Sequence, residues 1–380
     1  MPGLIVALAL AALVLGSLVY CVLTLVAARK YLAVGPTSPP HTLPPISILK
    51  PLHGWEENLE RNLRTFFEQD YPDFELLFAV RVAEDPALAV VDRLCAQFPS
   101  VPARVLLTGE PPYPNAKVFS LSLMARAARA DLLVMSDSDI RVTPRMLRAI
   151  AAEFADPKLG VATCPYRAVP GRGSVWSLLE ALGMNTEFWG GALVARMLEG
   201  MKFAVGPTIA ARRTVIEAVG GFDRLKDYLA EDFVLGNFAA AQGHGVILSS
   251  YVVEHHIGAQ TFGQNALHRL RWNRSTRRSR PAGYIGQVFI NPTPLAALLA
   301  LVRPEWWPLA AAAMIARAAA AHAVSHAVLH DPLCRRLWPL IPVQDLLSFA
   351  FWVVGFFGNT ILWRGHRYRL ERDGTFARID

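Results

Sequence analysis

The sequence predicts an α/β domain with a mostly parallel sheet, placed between apolar segments that are long enough to cross a membrane. From residue 46 to residue 154, apolar strand candidates alternate with amphipathic helix candidates, the pattern of a parallel sheet covered on both faces. The 380 residues are 53% hydrophobic and only 18% charged, and the apolar excess lies at the two ends of the chain.

The first membrane segment is the uncharged run 3–28, which at about 1.5 Å per residue is long enough to span a bilayer. Arg29 and Lys30 follow it, whereas a secretory signal peptide carries its positive charges before the apolar run. The positive-inside tendency therefore predicts a transmembrane anchor at 1–30, with the following domain in the cytoplasm. A buried core helix is the alternative, and the length of the run disfavours it. A proline-rich linker is expected at 31–45.

Two apolar stretches near the C-terminus, 306–329 and 338–363, predict transmembrane helices within 304–363. The preceding segment, 281–303, is broken by Asn-Pro-Thr-Pro at 291–294 and is expected to be interfacial or re-entrant. The arginine-rich tail, 364–380, is expected in the cytoplasm, which favours an even number of C-terminal crossings. The chain is thus predicted to be a multi-pass protein of the inner (cytoplasmic) membrane.

Charge and cysteine content restrict the class of partner. The net charge of +7 suits a protein that lies against anionic lipid headgroups, and it is too dispersed to predict nucleic-acid binding. Four scattered cysteines fit a reducing compartment and give no sign of a zinc site. Protein partners are not indicated.

The elements of the domain follow from periodicity and from turn residues. Thr143 and Pro144 are expected as the N-cap and first position of a helix that ends at Phe154. The other expected elements are strands at 46–49, 74–82, 105–107 and 132–135 and helices at 56–69, 87–98 and 116–128.

Carboxylates recur where the predicted strands end, which is where ligands bind in parallel α/β sheets. Asp137 and Asp139 follow one strand, and their like charges require a cation or bound donors. Since the sequence has no glycine-rich phosphate loop, Mg²⁺ or Mn²⁺ is the predicted neutraliser of any phosphate. Asp85 alone is typical of an ordinary turn.

Two downstream features have ordinary interpretations when taken singly. Glu231 and Asp232 open an apolar helical stretch, where acidic residues are common. The stretch 268–272 (HRLRW) is typical of a juxtamembrane basic patch with an interfacial tryptophan. The aromatic-rich segment 175–203 fits an amphipathic interfacial helix and domain core equally well.

Taken together, these stretches resemble the membrane-bound family-2-type glycosyltransferases, and most closely the ceramide glucosyltransferase group. The resemblance covers residues 46–272 and the flanking membrane segments. It rests on six ordered stretches: SILKPLHG at 47–54, TFFEQDYP at 65–72, EDPA at 84–87, DSDIRV at 137–142, AED at 230–232 and RW at 271–272. It implies a GT-A fold and an inverting transfer from a nucleotide sugar.

The resemblance also implies a role for individual residues. Asp137 and Asp139 correspond to the motif that binds the metal and the diphosphate, and Asp232 corresponds to the catalytic base. The residues assigned to the nucleotide-sugar site are Asp85, Lys117, Asp137, His268, Arg271 and Trp272. Two positions depart from the pattern. His268 replaces a glutamine or arginine, and Val82 stands where relatives often have another acidic residue.

The predicted reaction is therefore transfer of N-acetylglucosamine or glucose from a UDP-sugar to a hydroxyl of a membrane lipid. The segment 188–203 resembles a bacterial hopanoid-biosynthesis subgroup, which implies a hopanoid polyol as the acceptor, with ceramide as the alternative. A processive polysaccharide synthase and a catalytically inactive membrane binding protein are further alternatives.

Overall fold

The computed structural model describes residues 2–35, 37, 42–363 and 365–380, so residues 36 and 38–41 of the expected linker lie outside it. Thirteen strands are described: β1 Ile46–Pro51, β2 Phe74–Val80, β3 Ala103–Leu107, β4 Leu132–Ser136, β5 Ile140–Arg141, β6 Leu159–Thr163, β7 Tyr166–Pro170, β8 Thr208–Arg212, β9 Gly245–Leu248, β10 Val253–Ile257, β11 Thr360–Trp363, β12 His366–Leu370 and β13 Phe376–Arg378.

Fifteen α-helices are described in the same residues: α1 Pro2–Leu32, α2 Leu59–Phe67, α3 Pro86–Gln97, α4 Ala116–Ala127, α5 Met146–Glu153, α6 Val175–Gly183, α7 Trp189–Glu199, α8 Arg213–Ala218, α9 Glu231–Ala241, α10 Phe262–Ser279, α11 Pro281–Gly286, α12 Pro292–Val302, α13 Trp307–His322, α14 Pro332–Leu337 and α15 Ile341–Gly355. A π-helical turn, Met184–Phe188, joins α6 to α7, and another, Ala323–Val328, extends α13.

The central sheet has seven strands in the order β3-β2-β1-β4-β8-β6-β9. Only β8 runs antiparallel to its neighbours, which confirms the predicted mostly parallel sheet. Side chains of β1 alternate between two cores, with Ile46 and Ile48 in one and Leu49 in the other. Both faces are covered, as a parallel sheet requires.

A second sheet has three strands in the order β5-β10-β7. Its strand β5 begins immediately after Asp139 and pairs antiparallel with β10, so that Ile140 lies opposite His255. The turn between β4 and β5 therefore belongs to both sheets, and its position is fixed from two sides.

The expected helix start at Thr143 is wrong, because α5 begins at Met146 and has no side-chain cap. The Thr143 hydroxyl lies 2.9 Å from the Tyr251 hydroxyl, and the Thr143 backbone N–H donates to the same oxygen. A hydroxyl held by Tyr251 is not directed at the first helical turn, so Pro144 and Arg145 form a turn before the helix.

Three helices of the described chain are long and apolar enough to cross a membrane: Gly3–Leu32, Pro304–Val328 and Pro332–Gly355. The segments Pro281–Phe289 and Pro292–Val302 meet at a bend of 49°, at the expected Asn-Pro-Thr-Pro break, as in a broken span or a re-entrant loop.

The predicted C-terminal limit of the transmembrane helices, residue 363, needs correction. The last apolar helix ends at Gly355, and β11, β12 and β13 form a three-stranded antiparallel sheet, so that residues 365–380 of the tail are largely folded. Gly358 has φ of 76°, a left-handed conformation that ends the helical path.

The segment 175–203 packs as domain core at its centre. Trp189 is fully buried, and its ring lies 5.0 Å from that of Tyr166. A Cβ atom at Gly190 would lie 3.4 Å from the Thr24 side chain, so α7 lies close against the C-terminal half of α1. These contacts favour the core interpretation for Trp189.

A buried ion pair joins the membrane helices to one another. Arg317 of α13 donates from Nη2 to Asp345 of α15 at 2.9 Å, and Thr293 of α12 donates to the same carboxylate at 2.7 Å. Arg317 also reaches the Thr186 hydroxyl at 3.2 Å. Charged side chains at such positions persist only when they are paired.

We expect Asp345→Ala to lower the free energy of unfolding by about 3 to 5 kcal/mol, because Arg317 would remain buried without a counter-ion. The thermal midpoint in detergent measures the loss. Asp380→Ala, which removes an exposed carboxylate paired with Arg378, is the control and should have little effect. An unchanged midpoint in Asp345→Ala would contradict the burial of the pair.

Candidate active site

Asp137 stands at the carboxyl end of β4 and is held on both its backbone and its side chain. Its backbone N–H donates to the Pro207 carbonyl at 3.0 Å, and its Oδ1 lies 2.7 Å from Lys117 Nζ. Lys117, in the first turn of α4, also lies 3.3 Å from Glu231 Oε1. One ammonium group therefore connects the strand-end carboxylate to the start of α9.

Asn115 strengthens the same connection. Its Oδ1 accepts from the Val118 N–H at 3.2 Å and so caps α4. Its Nδ2 donates to the Tyr228 carbonyl at 2.9 Å and to Glu231 Oε2 at 3.3 Å. The turn that leads into α9 is thus attached to the N-terminus of α4.

Asp232 lies in the first turn of α9, close to the 203–207 segment. Burial, followed by the neighbouring Glu231 carboxylate, raises the pKa of Asp232 to about 6. A Cβ atom at Gly206 would lie 2.7 Å from Asp232 Oδ2, so glycine at this position leaves room for the carboxylate. Gly236, one turn farther along α9, packs directly on the backbone of Phe203 and Ala204.

Asp139 is paired with His255, which comes from β10. Asp139 Oδ2 lies 2.9 Å from His255 Nε2, and Oδ1 is buried with no hydrogen-bond partner among the described residues. Burial acts to raise the pKa of Asp139, but the histidine and nearby lysines outweigh it and lower this pKa below its usual range. Burial acts to lower the pKa of His255, and the aspartate outweighs it and raises that pKa.

Lys50, the penultimate residue of β1, is a fully buried cation beneath this turn. Its ammonium donates to the Asp137 carbonyl, lies 3.4 Å from Ser136 Oγ and lies 3.8 Å from the centre of the Phe66 ring. Burial lowers its pKa to about 7. A lysine at the end of an apolar strand was the sequence signal for this group.

Asp137 and Asp139 fit a divalent cation of the kind that takes only one or two protein carboxylates. The buried Oδ1 of Asp139 is an acceptor without a donor, which a cation would satisfy. Within the described ranges, no cluster of three or more His, Cys, Asp or Glu side chains could hold a metal by itself. The remaining ligands would then be water and phosphate oxygens.

Asp85 has the backbone contacts of a turn and cap residue. Its Oδ1 accepts from the Ala87 N–H at 2.9 Å and caps α3, and both carboxylate oxygens lie 3.0 Å from the Gly54 nitrogen. Asp85 therefore fixes the loop that follows β1. Its contact with a nucleotide stays a prediction.

His268, Arg271 and Trp272 lie on α10. His268 Nδ1 is hydrogen bonded to Glu180 of α6, and the His268 ring lies 5.2 Å from that of Trp272, edge to face. Burial acts to raise the pKa of Glu180, but His268 outweighs it and this pKa is lowered.

A series of ring contacts connects α10 to the aspartate pair. Trp272 lies 5.6 Å from Phe188, which stacks on Tyr166 at 5.8 Å. Tyr166 in turn meets the His255 ring at 5.2 Å, and His255 binds Asp139. The structure therefore brings Trp272 and the aspartate pair to opposite ends of one packed aromatic group.

Sequence reasoning assigned Asp137, Asp139, Asp232 and Lys117 to a site, and the structure brings all four together. It missed the groups that neutralise or position them, which are Lys50, Asn115, Glu180, Gly206, Glu231 and His255. Most of these contacts join elements that are far apart in sequence, so local sequence patterns do not reveal them. The exceptions are Lys50, at the end of an apolar strand, and Glu231, next to Asp232 at the start of a helix.

The chain is similar to known glycosyltransferases in sequence and in fold. The model for glycosyl transferase family 21 matches residues 9–376. Ceramide glucosyltransferase 1 of Caenorhabditis elegans is 31% identical over 215 residues, which are 56% of this chain and 46% of that protein. Ceramide glucosyltransferase 3 of the same organism is 28% identical over 212 residues, 55% of this chain and 46% of that protein. The match thus spans about half the length of these relatives.

A solved structure shares the architecture. The mannosyltransferase PcManGT from Pyrobaculum calidifontis, in complex with GDP-Man and Mn²⁺, has a TM-score of 0.54 at 21% identity. The match covers 92% of this chain and 98% of that one. The predicted GT-A fold is therefore confirmed.

We expect Gly206→Ala to abolish most transferase activity with little change in thermal midpoint. The new methyl group would displace only the end of the Asp232 side chain, a small cost in stability, but it would move the carboxylate from its present position. Gly263→Ala, where a Cβ atom meets nothing within 4 Å, is the matched control. Full activity in Gly206→Ala would show that the position of Asp232 is not critical.

Proposed function

Because the chain belongs to glycosyl transferase family 21, we propose that it moves a sugar from a nucleotide-sugar donor to a hydroxyl of a membrane lipid. The contact that carries the proposal is the Lys117 bridge between Asp137 and Glu231. The bridge keeps Asp137 and Asp139, which would bind the diphosphate through a cation, beside Asp232. Asp232 is the carboxylate that would accept a proton from the acceptor hydroxyl. An inverting transfer needs one displacement and no covalent nucleophile.

The donor is a UDP-sugar carrying N-acetylglucosamine or glucose, and Asp137 and Asp139 would hold Mg²⁺ or Mn²⁺. When bound, the cation neutralises charge on the departing diphosphate. Lys117 adds a positive charge at the same place, and Arg271 of α10 would add a charge-assisted hydrogen bond to a phosphate oxygen. The mannosyltransferase of similar fold, which holds GDP-Man and Mn²⁺, supports a nucleotide-sugar donor and a divalent cation.

Asp232 takes the proton of the acceptor hydroxyl as that oxygen attacks the anomeric carbon. Such general-base assistance contributes roughly 10² to 10⁴-fold to the rate. With a pKa of about 6, Asp232 is ionised at neutral pH and is more basic than an ordinary aspartate. The negative charge of Glu231 contributes to the raised basicity of Asp232, while the pairing of Glu231 with Lys117 keeps Glu231 out of the reaction.

The groups on α10 and the Asp85 loop bind the outer parts of the substrates. Trp272 would contact a sugar ring or an acceptor, and the His268–Glu180 pair orients it. Asp85 holds Gly54 and thereby shapes the loop expected to meet the nucleotide. These assignments rest on the resemblance and on the contacts that fix each side chain.

The acceptor is a lipid, with a hopanoid polyol as first choice and ceramide as second. The apolar helices at both ends of the chain support an acceptor that stays in the bilayer. The relatives named as ceramide glucosyltransferases support the second choice. We place the catalytic domain on the cytoplasmic face of the inner membrane, where nucleotide sugars are made.

The test is an incubation of membranes containing the protein with labelled UDP-glucose, UDP-N-acetylglucosamine and GDP-mannose, followed by mass identification of the labelled lipid. One UDP-sugar should label one lipid. Asp232→Asn should abolish transfer while the protein still inserts in the membrane, because an amide accepts no proton. Asp156→Asn, at an exposed turn, is the control. A labelled polymer would favour a synthase, and normal transfer by Asp232→Asn would remove the assigned base.

The dependence of kcat/KM on pH should have an acidic limb near pH 6. Asp232 acts only when ionised, so activity falls as the pH drops through its raised pKa. Glu231→Gln removes a negative neighbour that raises this pKa, so the limb should move to lower pH. Glu217→Gln, an exposed change on α8, should leave the limb in place. A limb that does not move in Glu231→Gln would assign it to another group.

A further inference from the structure

The Pro332–Gly355 helix begins against the catalytic domain. The His330 carbonyl accepts from Arg167 Nη1 of β7 at 2.7 Å, and Asp331, which caps α14, accepts from Asn185 Nδ2 at 3.0 Å. The start of this helix is therefore on the membrane face that carries the catalytic domain.

The same helix also ends against the catalytic domain. Arg277 of α10 donates to the carbonyls of Phe356 and Gly358, and Arg274 donates to that of Thr360. Beyond them, the Phe376 N–H donates to the Asp227 carbonyl at 2.9 Å, a few residues before Asp232. A helix of this length is about 36 Å long, and a crossing would separate its ends by the thickness of the bilayer.

Three polar residues in the middle of this helix face inward, toward protein. Gln344 and Ser348 are 1% and 8% exposed and accept from Arg269 of α10 at 3.0 and 3.3 Å. Asp345 is fully buried against Arg317. A Cβ atom at Gly183 of α6 would lie 2.2 Å from the Gln344 side chain, so α6 and α15 are in close contact.

One apolar stripe of this helix faces outward. It consists of Val343, Leu346 and Val353, which are 48%, 49% and 39% exposed. A helix on the surface of a soluble domain has the reverse arrangement. Similar exposed apolar residues continue on the other membrane helices, among them Val19 of α1, Leu298 of α12 and Ile315 of α13.

We propose that the Pro332–Gly355 helix lies along the membrane surface on the catalytic side without crossing, with this stripe immersed in lipid acyl chains. The crossings that follow the domain are then the bent segment 281–302 and the helix Pro304–Val328. Both pack on α1, where Leu295, Leu299 and Ala313 share a core with Ala11 and Val14. Two crossings return the tail to the catalytic face, in agreement with its contacts there.

This placement sets the height of the candidate site above the bilayer. Arg269, which binds Gln344 and Ser348, precedes Arg271 and Trp272 on α10. The helix therefore holds the acceptor side of the site at the lipid surface, so that a lipid hydroxyl reaches Asp232 while its chains stay in the membrane. This consequence rests on the proposed function, whereas the placement of the helix does not.

Cysteine labelling in sealed vesicles of known orientation tests the topology. The background is Cys95→Ser, because Cys95 is partly exposed while Cys21, Cys164 and Cys334 are buried. Single cysteines replace Glu305, Arg336 and Arg372, all exposed, and Asp156 as the reference for the catalytic domain. A membrane-impermeant maleimide should label Arg336→Cys and Arg372→Cys from the same face as Asp156→Cys, and Glu305→Cys from the other. Labelling of Arg336→Cys and Arg372→Cys from opposite faces overturns the proposal.

Fluorescence quenching tests what covers the stripe. A nitrobenzoxadiazole label on Leu346→Cys, in vesicles of phosphatidylcholine with dibrominated acyl chains, should be strongly quenched. The same label on Leu107→Cys, a leucine of similar exposure on the edge strand β3, should not. An unquenched label at residue 346 overturns the proposal, and in that case a change in oligomeric state in Leu346→Glu would identify a second copy as the cover.

Kinetics test the consequence for the acceptor. The double variant Leu346→Asn/Val353→Asn should raise the KM for a bilayer acceptor severalfold and leave the KM for the donor unchanged, and Leu107→Asn should alter neither. An equal change in both KM values overturns the role of the helix in acceptor access. If the wild-type protein transfers no sugar, the proposed function fails, but the labelling and quenching results still decide the placement.

Discussion

The structure depends on how negative charge is neutralised at the carboxyl end of its sheet. Asp137, Asp139, Glu231 and Asp232 are gathered there, and two like charges 4 Å apart repel by about 4 kcal/mol at an effective dielectric constant of 20. Lys117 offsets this repulsion because it contacts both Asp137 and Glu231. The carboxylates without such a contact then differ by environment, with the pKa of Asp139 lowered and that of Asp232 raised. One cluster thereby contains the two carboxylate environments that the proposed cation site and the proposed base require.

The sequence predicted the carboxylates of this cluster far better than their partners. Asp137 and Asp139 follow an apolar strand, and a strand end is visible in local periodicity. His255 reaches Asp139 from a strand 116 residues later, a pairing that depends on the order of strands in the second sheet. The false helix start at Thr143 has the same cause, because the Tyr251 hydroxyl that binds it comes from a distant loop.

The membrane region shows a second limit of sequence pattern. Hydropathy counts apolar residues in a window, so the 338–363 run predicted a transmembrane helix, although the structure has a strand from Thr360. Mean hydropathy over a window does not record which face of a helix each residue occupies. Gln344, Asp345 and Ser348 lie on one face of an otherwise apolar helix, and a polar face spaced this way was the available sign that the helix binds protein on one side.

The departure at His268 follows from its partner. A glutamine or arginine at this position would meet the buried Glu180 carboxylate, which also accepts from Asn265 Nδ2 at 2.9 Å. A histidine can hydrogen bond to Glu180 through Nδ1 and pack its ring against Trp272 at the same time. Arg269, on the same helix α10, donates to Gln344 of α15. The part of α10 that carries Trp272 is therefore held by Glu180 through His268 and by Gln344 through Arg269. The histidine thus fixes the orientation of the tryptophan, as the proposed transfer to a lipid requires.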